Sequence, residues 1–150
     1  MTGSKWALTP PFTGIVAHDV VAGVLGPAGA HAVARAAVQE AAARGARVRF
    51  LHVLPAGTPE GERDDSDSFS FAAALRALRE FPRVPVTFEV AEGDPGQVLV
   101  DRSAEASVLV IAADEVDQPE AAEYCHRHAR CDVLTVRSVR AAHTGLASTG

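Results

Sequence analysis

Apolar positions along this chain fall into short dense blocks, separated by longer stretches of sparser, helical spacing. Gly14-Ile15-Val16-Ala17 and the segments 48–54, 84–90, 108–112 and 133–136 are brief and β-branched, which predicts strands. Three of these blocks are nearly continuous in apolar character, as strands covered on both faces are. Residues 30–44 are Ala-rich and stop at Gly45, a residue type that ends helices by turning left-handed. Phe71, Leu75, Leu78 and Phe81 recur at helical spacing and form one apolar stripe. Asp94-Pro95 supplies an N-cap followed by proline at the first helical position, opening a helix through Val98, Leu99 and Arg102. Pro119 opens a last helix that runs through Arg130.

Strand and helix therefore alternate from end to end. Such an order with short crossovers predicts an α/β fold: a doubly wound, open, five-stranded parallel sheet with helices on both faces. Segment 55–66, with Glu60, Glu62, Asp64 and Asp65, reads as a polar loop. Residues 1–11 and 141–150 read as flexible ends around one domain spanning 12–140.

Composition narrows the partners. With 150 residues and 47% hydrophobic content, the chain suits a single compact domain with a true core. A formal charge of -5 argues against nucleic-acid and anionic-membrane surfaces. The strongest apolar run, residues 108–113, is strand length and too short to span a bilayer. The first eleven residues carry Lys5 and no continuous apolar stretch, so they do not read as a signal peptide. Cys125 and Cys131 do not make a disulfide framework, and a cytoplasmic location is expected.

Candidate chemistry is sparse. Cys125, His126, His128 and Cys131 lie close in sequence, yet on a helix His126 and His128 point about 200° apart, so a tetrahedral zinc site is not expected. No Gly-x-Ser-x-Gly elbow is present, and Ser103, Ser107 and Ser138 lack an evident base. His18-Asp19 is the one acid–base pair at a predicted strand end, but neighbours on a strand face opposite ways. His52 reads as a buried strand histidine. No catalytic and no metal-binding residue is assigned, and the chain is not expected to be an enzyme.

Four stretches point further. Gly14-Ile15-Val16-Ala17-His18-Asp19 is a strand ending in an acid. Arg44-Gly45-Ala46 leads through a turn to a strand with the pair His52-Val53. Glu92-Gly93-Asp94-Pro95 is a Gly-Asp-Pro turn, and Cys131-Asp132-Val133-Leu134-Thr135-Val136 is a closing strand. In this order, across residues 12–138, they resemble the universal stress protein (UspA-like) family. The resemblance implies a Rossmann-like sheet of order 3-2-1-4-5. Many members bind ATP at the carboxyl ends of the strands, near the switch point between strands one and four. It also implies a vestigial nucleotide site at Asp19, Val53 and Gly93, with Asp19 meeting the nucleoside and Val53 lining the base pocket.

The family's triphosphate loop, Gly, two residues, Gly, nine residues, Gly, then Ser or Thr, has no counterpart. Between Ile111 and Cys131 there is no glycine; the first glycine position corresponds to Ala112 or Ala113. Asp114, Glu115, Asp117, Glu120 and Glu123 crowd the region instead. One like-charge pair about 6 Å apart costs about 3 kcal/mol at an effective dielectric near 20. ATP binding in the family's usual way is therefore not expected, and no cofactor is assigned. Relative to the family, the stretch from Asp19 to the first helix is about six residues too long if Gly45 anchors the comparison. Its Gly23, Gly26 and Gly29 offer an alternative: a glycine-rich loop that takes the phosphate of AMP or ATP beside Asp19.

Family members pair through their last strands. Residues 132–139 form an alternating edge here, so a homodimer is expected through that strand, with a protein partner as a further possibility. The expected function is that of a stress-response domain that dimerises or regulates by binding, without catalysis.

Overall fold

A computed structural model of the chain describes residues 19–113, 115 and 118–137. Among these residues five strands and four helices alternate: β1 (Val20–Val24), α1 (Pro27–Arg44), β2 (Val48–Leu54), α2 (Glu60–Leu78), β3 (Val86–Glu92), α3 (Pro95–Arg102), β4 (Val108–Ala112), α4 (Ala121–His128) and β5 (Asp132–Val136). The sheet runs β3-β2-β1-β4-β5 and every pairing is parallel. The predicted doubly wound sheet of order 3-2-1-4-5 is what forms.

Both faces are covered. On one, α1 and α2 pack over Val20, Ala22, Val24, Phe50 and Val110. On the other, α3 and α4 pack over Val21, Leu51, Val53, Leu109 and Ile111. β1 and β4 are buried at every residue, which explains why their sequences carry almost no polar positions.

The first strand is not where the sequence motif placed it. Residues 14–18, including the expected strand Gly14-Ile15-Val16-Ala17 and the candidate base His18, lie outside the described residues. The strand that fills the centre of the sheet is Val20–Val24, with Val20 opposite Val48 and Val108. The expected glycine-rich loop is therefore this strand and the turn after it. Gly23 sits mid-strand for a steric reason: a Cβ there would lie 2.6 Å from Leu99 Cδ2 and 3.0 Å from Ile111 Cγ2. Its bareness brings α3 close to the sheet.

Local signals otherwise act as their chemistry requires. Gly45 ends α1 at φ 67° with its N–H donated to the carbonyl of Ala41. Asp94 caps α3 by accepting the Gln97 N–H at 3.2 Å, with Pro95 behind it. Gly93 adopts φ 144°, so the Gly-Asp-Pro turn needs glycine at that place.

Segment 55–66 is not all loop. Helix α2 begins at Glu60, with Glu60 and Glu62 in its first turn, where the positive end of the helix dipole favours carboxylates. No apolar stripe announces this half of the helix, because Glu60, Gly61, Glu62, Asp64 and Asp65 are exposed. The stripe of Phe71, Leu75, Leu78 and Phe81 also divides. Leu78 and Phe81 pack against the core, whereas Phe71 and Leu75 remain half exposed; the inward face of α2 is built from Ser70, Ala73, Ala74 and Ala77. The last helix spans Ala121–His128, shorter than the predicted run to Arg130. The predicted ends 1–11 and 141–150, with 12–18 and 138–140 at the borders of the expected domain, lie outside the described residues.

Gly23→Ala should lower stability by about 1–3 kcal/mol, because Leu99 and Ile111 must move aside in a close-packed core. A urea midpoint equal to that of the parent chain would reject this packing account.

Candidate functional site

In an open parallel sheet, ligands gather outside the carboxyl ends of the strands at the switch point, here between β1 and β4. Three segments meet there: the turn from β1 into α1, the turn from β3 into α3, and the segment after β4. Val53 lies one residue from the carboxyl end of β2 and is buried among Val21, Leu51 and Leu99. Gly93 follows β3 and donates its N–H to the Leu54 carbonyl at 3.0 Å. These two residues do stand at the same end of the sheet.

Asp19 does not. It immediately precedes β1, at the amino end of the sheet, where Arg47 holds its carboxylate through Nη2–Oδ2 at 2.8 Å and Nε–Oδ1 at 3.3 Å. The Asp19 carbonyl accepts the Ser107 backbone N–H at 2.9 Å. A five-residue strand separates it from the switch point, about 17 Å at 3.3 Å per residue. Asp19 is thus bonded to Arg47, at the opposite end of β1 from the turn that carries Gly26 and Gly29. The residue that follows β1 at the carboxyl end is Leu25, half-buried and packed against the α3 face of the core. Where the resemblance implies an acid for the nucleoside, this chain has an aliphatic side chain.

Gly26 and Gly29 do line the opening of α1, but another group fills the space beside them. A Cβ on Gly26 would lie 2.6 Å from Glu115 Oε2, and one on Gly29 would lie 3.2 Å from Glu115 Oε1 and 2.6 Å from the Cβ of Ala112. Glu115 is only 4% exposed. α1 has no acidic residue in its own first turn and no side-chain cap. The buried carboxylate of Glu115, carried in from the segment after β4, therefore lies at the positive end of that helix, a favourable place for an anion. Asp114 and Asp117, expected in the same acidic segment, lie outside the described residues.

The remaining candidates have ordinary surroundings. His52 is 3% exposed and meets the ring of Phe69 edge-on at 5.5 Å. Ser103 is buried and donates its hydroxyl to the Leu99 carbonyl at 2.6 Å. Burial pushes the Cys125 thiol up to about 11 and raises that of Cys131 as well, so neither is a thiolate at neutral pH. Among the described residues no three His, Cys, Asp or Glu side chains converge on a metal position.

Sequence reasoning missed Leu25 and the seat of Glu115. One signal was available. The loop was about six residues too long with Gly45 as anchor, and moving the strand from 14 to 20 removes that excess.

The model of the Universal stress protein family matches residues 17–137. Among curated proteins, none matches the sequence. Several solved structures share the fold. A universal stress protein from Archaeoglobus fulgidus superposes with a TM-score of 0.68 at 20% identity, over 83% of this chain and 96% of that one. Another from Archaeoglobus fulgidus, solved in complex with dAMP, gives a TM-score of 0.64 at 24% identity, over 82% and 99%. A member from Burkholderia pseudomallei gives 0.62 at 23% identity, over 84% and 100%. At these identities the structural likeness carries the fold alone.

Glu115→Gln keeps the shape of the side chain and removes its charge from the α1 terminus. The expected loss is about 1 kcal/mol of unfolding free energy at neutral pH. An unchanged denaturation midpoint would mean that the carboxylate contributes nothing there.

Proposed function

The chain belongs to the universal stress protein family, and from that premise we propose that it serves a stress response as a non-catalytic, dimerising or regulatory binding protein that does not take ATP in the family's usual way. One observation carries the reading: the Glu115 carboxylate occupies the opening of α1 beside Gly26 and Gly29, at the switch point of the sheet. A polyphosphate needs bare main-chain donors and positive potential. This position holds a buried acid instead. Ala112 or Ala113 stands where the family's first loop glycine is expected, and Leu25 stands where the nucleoside-binding acid is expected. No helix among the described residues is long and apolar enough to cross a membrane.

A second reading keeps a nucleotide of the AMP kind. It is favoured by the dAMP complex of the relative from Archaeoglobus fulgidus. Here Val53 and Gly93 alone would remain of the vestigial site, without an acid for the sugar.

Assembly follows from the edge at β5. Val133, Leu134, Thr135 and Val136 are half-buried, and among the described strands β5 pairs only with β4. A two-fold antiparallel pairing with the same strand of a second copy covers that edge and makes a homodimer. The expected span to 139 ends at Val136, with Ser138 and Val139 outside the described residues.

Two measurements test these readings. ATP with Mg²⁺ should move the thermal midpoint by less than about 1 °C, since a ligand that binds only the native state must stabilise it. A rise of several degrees with ATP would overturn the first reading; one with AMP alone would favour the second. Val136→Lys should reduce the sedimenting mass relative to the parent chain, and an unchanged mass would reject pairing through β5.

A further inference from the structure

Among the described residues, the large hydrophobic side chains left exposed lie at one place. Phe71, Leu75, Phe88 and Val90 are 50%, 49%, 43% and 45% exposed, and all flank the edge strand β3. Among the described strands β3 is outermost in the sheet and pairs only with β2. Phe88 stacks on Phe50 with centroids 5.3 Å apart and touches Phe71 at 5.2 Å. Leu75 is one helical turn beyond Phe71 and shares its flank of α2. The strand itself, Val-Thr-Phe-Glu-Val-Ala-Glu, carries no Lys, Arg or Pro to blunt its edge.

We propose that β3 pairs antiparallel with β3 of a second copy, about a two-fold axis passing between the two Phe88 residues. Alternation along a strand places Val86, Phe88 and Val90 on one face. With the axis perpendicular to the sheet, paired residues share a face and their numbers sum to a constant. Phe88 then meets Phe88, and Val86 meets Val90 on both sides. On the opposite face Glu89 falls across from Thr87, its charge already met by Arg49 at 2.7 Å and Arg102 at 3.3 Å. The two α2 helices approach across the axis with Phe71 and Leu75 between them.

Charge favours a copy of this chain as the occupant. The amino end of the edge carries Arg79, whereas Arg76 faces His31 and Glu80 pairs with Arg35, both on the α1 side of α2. The carboxyl end carries Glu92 and Asp94, with Glu60 and Glu62 where α2 begins. Antiparallel pairing sets the basic end of one copy against the acidic end of the other. The edge is thus self-complementary in shape, apolar pattern and charge, which is what an isologous interface requires. It lies on the side of the sheet opposite β5 and is argued independently of the pairing proposed there; a chain that uses both edges assembles beyond the dimer.

Sedimentation of the full chain separates the two edges. The Val136→Lys variant should still associate as a dimer. Adding Val90→Lys should weaken that association about 100-fold and yield a monomer, because each interface then buries two unpaired charges. Val90 is half exposed, so the folded chain should tolerate the lysine. Register is read independently: Phe88→Cys in the Val136→Lys background should cross-link to itself on mild oxidation, whereas Val90→Cys should not. A Val136→Lys variant that is monomeric at all concentrations, leaving the β3 edge to some other chain, overturns the proposal. So does association unaffected by Val90→Lys, or cross-linking of Val90→Cys as ready as that of Phe88→Cys.

Discussion

Five residues in the middle of the sheet carry the architecture. Val20–Val24 pair on one side with β2 and on the other with β4, and none of them reaches solvent. A strand buried on both faces must be apolar throughout and must leave room for the helices above and below. Gly23 meets the second demand by admitting Leu99, and the switch point at the carboxyl end follows from the two parallel partners. Every functional conclusion depends on which residues end this strand, since a shift along it exchanges the amino end of the sheet for the carboxyl end.

That placement decides the chemistry of the switch point. With Val24 as the last strand residue, Leu25 and Gly26 enter the position from which ligands of this fold are addressed, and α1 opens directly behind them. The space that two glycines leave is taken by a carboxylate from elsewhere in the chain. An internal anion at a helix terminus uses the same dipole that would attract a phosphate. On the proposed reading the scaffold is retained while its usual attraction is spent within the molecule, in keeping with the rule that function resides in sites rather than folds.

The two edges of the sheet differ in kind. β5 is narrow in exposed apolar surface and is half-buried along most of its length. β3 gathers the exposed aromatic and aliphatic side chains and has a charge gradient from one end to the other. Parallel sheets leave two open edges by construction, so each must be covered, blunted or paired. The amino end is held otherwise, by the Arg47–Asp19 pair and by Arg49 and Arg102 around Glu89; the bonded Arg49 guanidinium holds the Glu89 carboxyl below the usual carboxylate range.

Much of the fold was legible in the residues alone. Dense β-branched blocks alternating with helical stretches required a parallel, two-layered α/β sheet, and Gly45, Gly93, Asp94 and Pro95 marked boundaries through local backbone chemistry that acts wherever those residues sit. The loss of the phosphate loop was also visible, because absent glycines and added acids are facts of composition. Tertiary structure decided the rest. The central strand lies beyond the block read as the first strand, and only pairing of Val20 with both Val48 and Val108 places it. The acidic start of α2 had no apolar stripe to announce it. The seat of Glu115 against Gly26 and Gly29 joins residues nearly ninety positions apart, a juxtaposition that no local pattern encodes because it is set by the crossover of the sheet.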